Sequence, residues 1–349
     1  MACAHGVSHQ VASRVLVYQD PRITVISPVA QEEMKIKYSN IRAQVAVDAV
    51  SGATQALTID AVSAATKFTE RRVQGSISGL YSPHGKQGFS GGYTMSSERD
   101  HKVHAPNLGW QNEILAQMVR ISVNYLAMIE SIGRVDQPSY EQRALAHRID
   151  GEWTQILSRT WVVSALATAT ATTCTQELGC VANSYRAIGI ETGLGRIALP
   201  ERHPDQRFTG AAALRTIWNV AGKNAIHAGY RFFGDSWRIA AHTVDASWVT
   251  GLAANHVLLR TEVRSTVQNA ASFYRRRYLA TMDGAPAYRT ADSELSRLRN
   301  LRLALAIEGT WRKWKLFANG GRMWNWYPEY TALPKRHAWL LGVGASYDF

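Results

Sequence analysis

The last fourteen residues, Arg336-His-Ala-Trp-Leu-Leu-Gly-Val-Gly-Ala-Ser-Tyr-Asp-Phe349, constrain the fold more than any other stretch of this chain. One set of alternate positions, Trp339, Leu341, Val343, Ala345, Tyr347 and Phe349, is wholly apolar. The other set, Ala338, Leu340, Gly342, Gly344, Ser346 and Asp348, becomes small or polar toward its end. Side chains alternate faces along a strand, so this segment has one apolar face and one small or polar face. Its length suits a tilted membrane-crossing strand of about 9–11 residues. A half-buried strand in a soluble domain has the same period, so both readings stand on this segment alone.

The rest of the 349 residues narrows the choice. No run of 18 apolar residues occurs, which excludes a membrane-spanning helix and leaves strands as the way through a bilayer. The 11 Trp and 14 Tyr suit aromatic girdles at two membrane interfaces. A net charge of +12 would fit nucleic acid. The arginines are spread over alternate strand positions, however, with no basic helix or arm, so no nucleic-acid partner is expected. Basic lumen residues, or arginines facing lipopolysaccharide phosphates, account for the charge equally well.

Strand-like alternation recurs from about Ser13 onward. Ile41, Ala43, Val45, Val47 and Ala49 oppose Arg42, Gln44 and Asp48, and Val119, Ile121, Val123, Tyr125 and Ile129 oppose Arg120, Ser122 and Asn124. Short turns are expected at Tyr38–Asn40, Ser82–Lys86, Asn219–Lys223 and Gly251–Asn255, and long connections at 51–66, 97–107, 172–207 and 270–298. Short turns alternating with long loops characterise a transmembrane barrel. The expected fold is an antiparallel transmembrane β-barrel of about sixteen strands, fourteen to eighteen, with short periplasmic turns and long extracellular loops. It forms one domain over residues 13–349. Residues 1–12 are expected to be a disordered segment; Met1–Gln10 has neither the basic nor the apolar region of a signal peptide.

Arg42, Arg72, Arg120, Arg260, Arg264 and Arg302 fall opposite apolar faces and are candidate lumen residues, with Asp48, Glu262 and Glu308 as acidic counterparts. A lipid-facing arginine at mid-membrane costs roughly 2–4 kcal/mol, so these side chains must point inward or lie at the interfaces. Inward arginines either favour anions or pair with carboxylates to fill the interior. Cys174 and Cys180 flank a loop tip, where a small disulfide is expected in an oxidising compartment. Asp48, Asp60, Glu70, Glu98 and Asp100 lie around a duplicated segment; loop capping explains them better than a cation site. His101, His104, His203, His227 and His242 carry no hydrolase signature and read as loop and lumen histidines. The aromatics Trp311, Trp314, Trp324, Trp326, Tyr327 and Tyr330 read as girdle residues. No catalytic, cofactor or metal site is expected.

Several segments in order carry a family resemblance. They are Ile23-Thr-Val-Ile-Ser-Pro-Val29, the near-copies Val47-Asp-Ala-Val-Ser-Gly-Ala-Thr54 and Ile59-Asp-Ala-Val-Ser-Ala-Ala-Thr66, and Gly91–Asp100. Leu199–Arg207, Tyr230–Thr243, Phe273–Tyr278 and Pro286–Leu295 follow. Together they resemble the DUF3570 family of Gram-negative outer-membrane proteins, from about residue 14 to the C-terminus. The end of the chain, with Val343, Tyr347 and the terminal Phe349, looks like the insertion signal of such barrels. The resemblance implies an integral outer-membrane barrel and an exported precursor, and no established activity. Its expected partners are outer-membrane lipids, lipopolysaccharide and the barrel-assembly machinery. The expected function is a passive channel for small solutes with a basic lumen. A plugged barrel anchoring a periplasmic or surface partner, possibly redox-related, is the alternative, and an outer-membrane hydrolase is a more distant one.

Overall fold

The structure is a computed structural model that describes residues 7–54, 66–83, 85–175, 185–253, 256–282, 284–330 and 333–349. In its first half the strands are β1 (Ser8–Gln19), β2 (Ile23–Ile36), β3 (Ser39–Thr54), β4 (Thr66–Tyr81), β5 (Gln87–Ser97), β6 (His101–Ile114), β7 (Val119–Gly133), β8 (Glu141–Ser158) and β9 (Trp161–Thr175). Two short strands follow, β10 (Ala187–Thr192) and β11 (Gly195–Pro200). The second half has β12 (Gln206–Ala221), β13 (Asn224–Asp235), β14 (Ala240–Leu252), β15 (Val257–Gln268), the short β16 (Tyr278–Leu279), β17 (Leu298–Trp311), β18 (Trp314–Trp326) and β19 (Lys335–Asp348). All but β10, β11 and β16 form one closed barrel of sixteen antiparallel strands.

Closure is made by β1 against β19, from Gln10 opposite Asp348 to Gln19 opposite Trp339. A closed sheet has no edge strand, and a membrane barrel needs this because lipid offers backbone groups no partner. The seam corrects one expectation. The sequence pattern places Ser8 to Ala12 in a disordered segment, but they lie in β1 and pair with β2 and, from Gln10, with β19. Past the strand end Phe349 N–H donates to His9 O at 2.9 Å, and the two rings stack with centroids 4.9 Å apart.

A second correction concerns β6. Residues 97–107 were expected to be a loop, yet the connection is only Glu98–Asp100 and β6 starts at His101. Pro106 breaks the alternating pattern by which strands are read. Its missing N–H also interrupts the ladder: β6 and β7 pair at His104–Ile129 and again at Asn107–Leu126, with no pairs between and no change of register. Pro28 does the same between β2 and β3, where pairing stops at Ile26–Ala49 and resumes at Val29–Ala46.

The outer surface is apolar. Val45, Ile77, Leu108, Ile149, Leu214, Leu305 and Val343 are each more than two-fifths exposed, as side chains facing hydrocarbon must be. Both described chain ends lie at one end of the barrel, where every connection has two to five residues; the long connections 55–65, 176–205 and 269–297 lie at the other, with three of three or four residues. The two-residue turns opened by Lys37 (φ 39°), Gly222 (φ 56°) and Arg312 (φ 54°) enter the left-handed region, whose twist matches paired strands. All four short turns expected from the sequence fall at the first end; 51–66, 172–207 and 270–298 open at the second, as does the three-residue connection that replaces the loop expected at 97–107. The first copy of the duplicated segment, Val47–Thr54, forms the end of β3, and the second lies outside the described residues up to Thr66, which opens β4.

With short turns periplasmic, Asp136→Cys and Met282→Cys should react with a membrane-impermeant maleimide on intact cells, whereas Tyr38→Cys and Lys223→Cys should react only after the outer membrane is permeabilised. Equal labelling of both sets on intact cells would reverse or abolish this topology.

Candidate functional site

The inner wall is polar because the positions opposite the lipid face carry charge. Arg42 pairs with Glu33 at 2.7 Å and Arg72 with Asp48 at 2.5 Å, while Arg120 holds Glu113 and Arg302 holds Glu262. Arg148 meets Asp150 at 2.8 Å, Arg207 meets Asp235 at 2.7 Å, and Arg264 lies 3.9 Å from Asp245. Most of these pairs join neighbouring strands across the inner face. By strand alternation all nine candidate lumen residues lie opposite the exposed apolar face of their strands, but their partners differ in detail from those foreseen. Glu262 serves Arg302; Glu308 makes no ion pair among the described residues. At the long-loop end Arg336 reaches Asp20 at 2.8 Å, and Tyr18 Oη donates to the same carboxylate at 2.9 Å.

The long connections form a cap. β10 and β11 make a hairpin, and β16 joins β10 in parallel, so the segments before β12 and before β17 fold as one sheet. Ile188, Ile190 and Tyr278 form its core. Tyr278 Oη accepts from Thr290 N–H at 2.9 Å and donates to Phe273 O at 3.0 Å. Beside it Glu201 is fully buried. It accepts from Arg186 Nη1 at 2.9 Å, Thr290 Oγ1 at 2.5 Å and Ala291 N–H at 3.2 Å, with His203 Nε2 3.7 Å away. Burial pushes the Glu201 carboxyl up, but the His203 contact, the Arg186 charge and the Thr290 hydroxyl together hold it at about 2.

A second apolar cluster seats the cap on the barrel. Trp237, Ile239, Ala271, Tyr274 and Leu295 pack against Ala144 and Cys174 at the upper ends of β8 and β9. The His203 ring meets Trp237 edge-on at 5.2 Å, and Arg207 lies 4.2 Å from the Trp237 ring centroid. Tyr274 Oη and Arg276 reach the carbonyls of Glu329 and Pro328 in the last long loop. Beneath the cap is a cavity of about 890 Å³, bounded by Asp292 and Glu294 above and by Arg231, Arg264, Arg302 and Arg336 on the wall. A second space of about 820 Å³ opens beside Trp237, Phe273, Arg275 and Tyr288.

Glu70, Glu98 and Asp100 bring carboxylate oxygens within 4.8 Å of one another, a set that hard cations favour, with Arg72 3.8 Å from Glu98. Asp48 is engaged by Arg72, and Asp60 lies outside the described residues. Cys174 is disulfide-bonded and buried; Cys180 and Cys3 lie outside the described residues. His227 faces the lumen and His203 the cap, but His104 and His242 face outward, as does His147. Each accepts or donates through Nδ1 to a tyrosine on the adjacent strand: Tyr93 at 2.5 Å, Tyr230 at 2.7 Å and Tyr125 at 2.7 Å. A polar group facing lipid needs such a partner. The period-two spacing of these residues was the available signal.

The model of a family described as a protein of unknown function, DUF3570, matches residues 134–319, more than half of the chain, including the cap and the wall beneath it. The chain belongs to the DUF3570 family. No curated protein matches the sequence. Among solved structures this DUF3570 barrel is similar to CdiB from Acinetobacter baumannii, at 8% identity and TM-score 0.56, covering 98% of this chain and 60% of that one. It is also similar to a bacterial polysaccharide outer membrane secretin, at 6% identity and TM-score 0.52 over the full length of both. OprD from Pseudomonas aeruginosa aligns at 7% identity and TM-score 0.49, over 98% and 95%. At these identities the likeness is one of fold, that of outer-membrane β-barrels.

The Glu201 carboxyl of this DUF3570 protein sits below its ordinary value of 4.5. The stabilisation, about 3 kcal/mol, is therefore fully present above that value and is lost as pH falls through about 2. Glu201→Gln should loosen the cap at neutral pH. Protease cleavage within 270–298 should rise several-fold, while the heat-modifiable migration of the barrel stays unchanged; equal cleavage of variant and parent would remove Glu201 from the cap's support.

Proposed function

We propose that this protein is a passive outer-membrane channel for small solutes whose inner wall favours anions. Barrels of about sixteen strands have room for an aqueous path, whereas eight-stranded ones are filled by side chains. The observation that carries the reading is the charge left over on the inner wall. Arg14, Arg215, Arg231 and Arg260 have no ion-pair partner among the described residues, and Arg231 lies beside both the capped cavity and the space around Arg148 and Asp150. Fixed inward cations raise the local concentration of anions and set the selectivity of a pore. Glu152 and Glu308, also without an ion pair among the described residues, and the carboxylates of Glu70, Glu98 and Asp100 at the other side of the mouth oppose this, so a modest preference is expected. Transport of this kind requires no cofactor and no catalytic step. In the same reading lipids and lipopolysaccharide surround the wall, and Val343, Tyr347 and Phe349 present the strand end that the barrel-assembly machinery takes up.

A second reading has a specific observation in its favour. The apolar cluster that seats the cap joins it to the capped ends of β8 and β9, as a plug would be joined, and a plugged barrel would serve to anchor a partner.

Conductance in planar bilayers separates the two. The purified protein in a salt gradient should show an anion-selective reversal potential, and Arg231→Glu with Arg260→Glu should move it toward the cation side. Cation selectivity in the parent protein would overturn the basic-lumen claim. No conductance in the parent, with conductance appearing when residues 270–296 are replaced by a short linker, would establish the plugged reading.

A further inference from the structure

The outer face of β17, β18 and β19 carries a feature that conduction does not use. Strand register orders it in rows. Nearest the capped end Arg299, Trp326 and Lys335 lie side by side; Leu301, Trp324 and His337 form the next row, and Leu303, Arg322 and Trp339 the third. These positions point outward, because their neighbours Asn300, Arg302, Met323, Asn325 and Arg336 line the inner cavity. Below Arg322 the surface turns apolar and dips along β18. Gly320 lies between Leu305 and Leu341, and Ala318 between Ile307 and Val343, so two small residues run between rows of larger, exposed ones.

Arg322 decides what such a face can hold. Its guanidinium lies 5.3 Å from the Trp324 ring centroid and 4.9 Å from that of Trp339. Its Nε is buried without a hydrogen-bond partner. Among the described residues no carboxylate pairs with Arg322, Arg299 or Lys335. A cation facing lipid is costly at mid-membrane and nearly free at the interface, so this group marks the headgroup level. Trp324, Trp326 and Trp339 mark the same level, where indole rings collect. Uncompensated guanidinium groups above an apolar furrow are complementary to an amphiphile with phosphate at its head and an acyl chain below.

We propose that this face binds a phosphorylated glycolipid of the outer leaflet, of the lipid A type. Its phosphates meet Arg322, Arg299 and Lys335, and one acyl chain follows the furrow at Gly320 and Ala318. The inference rests on the outer-membrane reading with the capped end outward, and it is independent of conductance.

Native mass spectrometry of the full-length protein in detergent, with bisphosphorylated lipid A added, tests it. The parent should retain lipid A and should retain dephosphorylated lipid A or phosphatidylglycerol at least about tenfold less. Arg322→Ala should lower retention about tenfold. The triple replacement Arg299→Ala, Arg322→Ala, Lys335→Ala should abolish it, and Lys102→Ala, an outward cation elsewhere, should leave it unchanged. Gly320→Leu should weaken retention by filling the furrow. Retention by the triple variant equal to the parent's, or indifference to the phosphates, overturns the proposal; preference for phosphatidylglycerol overturns the assignment to the outer leaflet. Heat-modifiable migration of each variant confirms the barrel, and Arg322→Lys, which keeps the charge but not the fork, replaces any variant that fails to fold. Bilayer recordings on the triple variant keep the two readings apart: conductance there should match the parent's.

Discussion

A strand in hydrocarbon cannot leave a backbone N–H or C=O without a partner, and everything else in this molecule follows from meeting that condition. The sheet has to close, so β1 must find β19. Closure sorts the side chains. Every residue faces either lipid or lumen, and alternation along sixteen strands makes the outside apolar and the inside polar. The charged residues of the chain have little choice within the span, and most of those on barrel strands come to line one wall.

Once inside, the arginines face a second constraint. Like charges packed around one lumen repel unless carboxylates stand between them, and Glu33, Asp48, Glu113, Asp150 and Glu262 stand there. The cap obeys the same rule in a drier setting. Glu201 is buried beneath the small sheet and remains ionised because Arg186, Thr290 and His203 surround it. A buried carboxylate with its partners in place is sensitive to the loss of any one of them, so the fold of the cap is tied to one short stretch before β12.

The barrel was legible because its signal repeats. Alternation in β3, β7 and β19 is clean, and arginines opposite apolar faces can only be read one way once lipid is outside. What escaped was local or long-range. Pro106 hid β6 by interrupting the pattern, although a strand held on both sides tolerates one missing donor. The sheet of β10, β11 and β16 unites segments nearly ninety residues apart, and β16 is two residues long, so no periodicity betrays it. Partner choice also escaped. Arg264 takes Asp245 because the register places them opposite one another, and register is invisible in composition. Polarity alone places histidines in loops and lumen; a tyrosine across the strand pair supplies the hydrogen bond that lets His147 and His242 face outward.

Pro28 and Pro106 have a mechanical consequence. Each thins one seam of the wall, between β2 and β3 and between β6 and β7, and both seams flank the same four strands. A closed cylinder under lateral pressure deforms where its cross-links are sparsest. The panel from β3 to β6 is thus bounded on both sides by a seam with a gap in its pairing. That panel is four of the sixteen strands, and the acidic rim of Glu70, Glu98 and Asp100 rides on it.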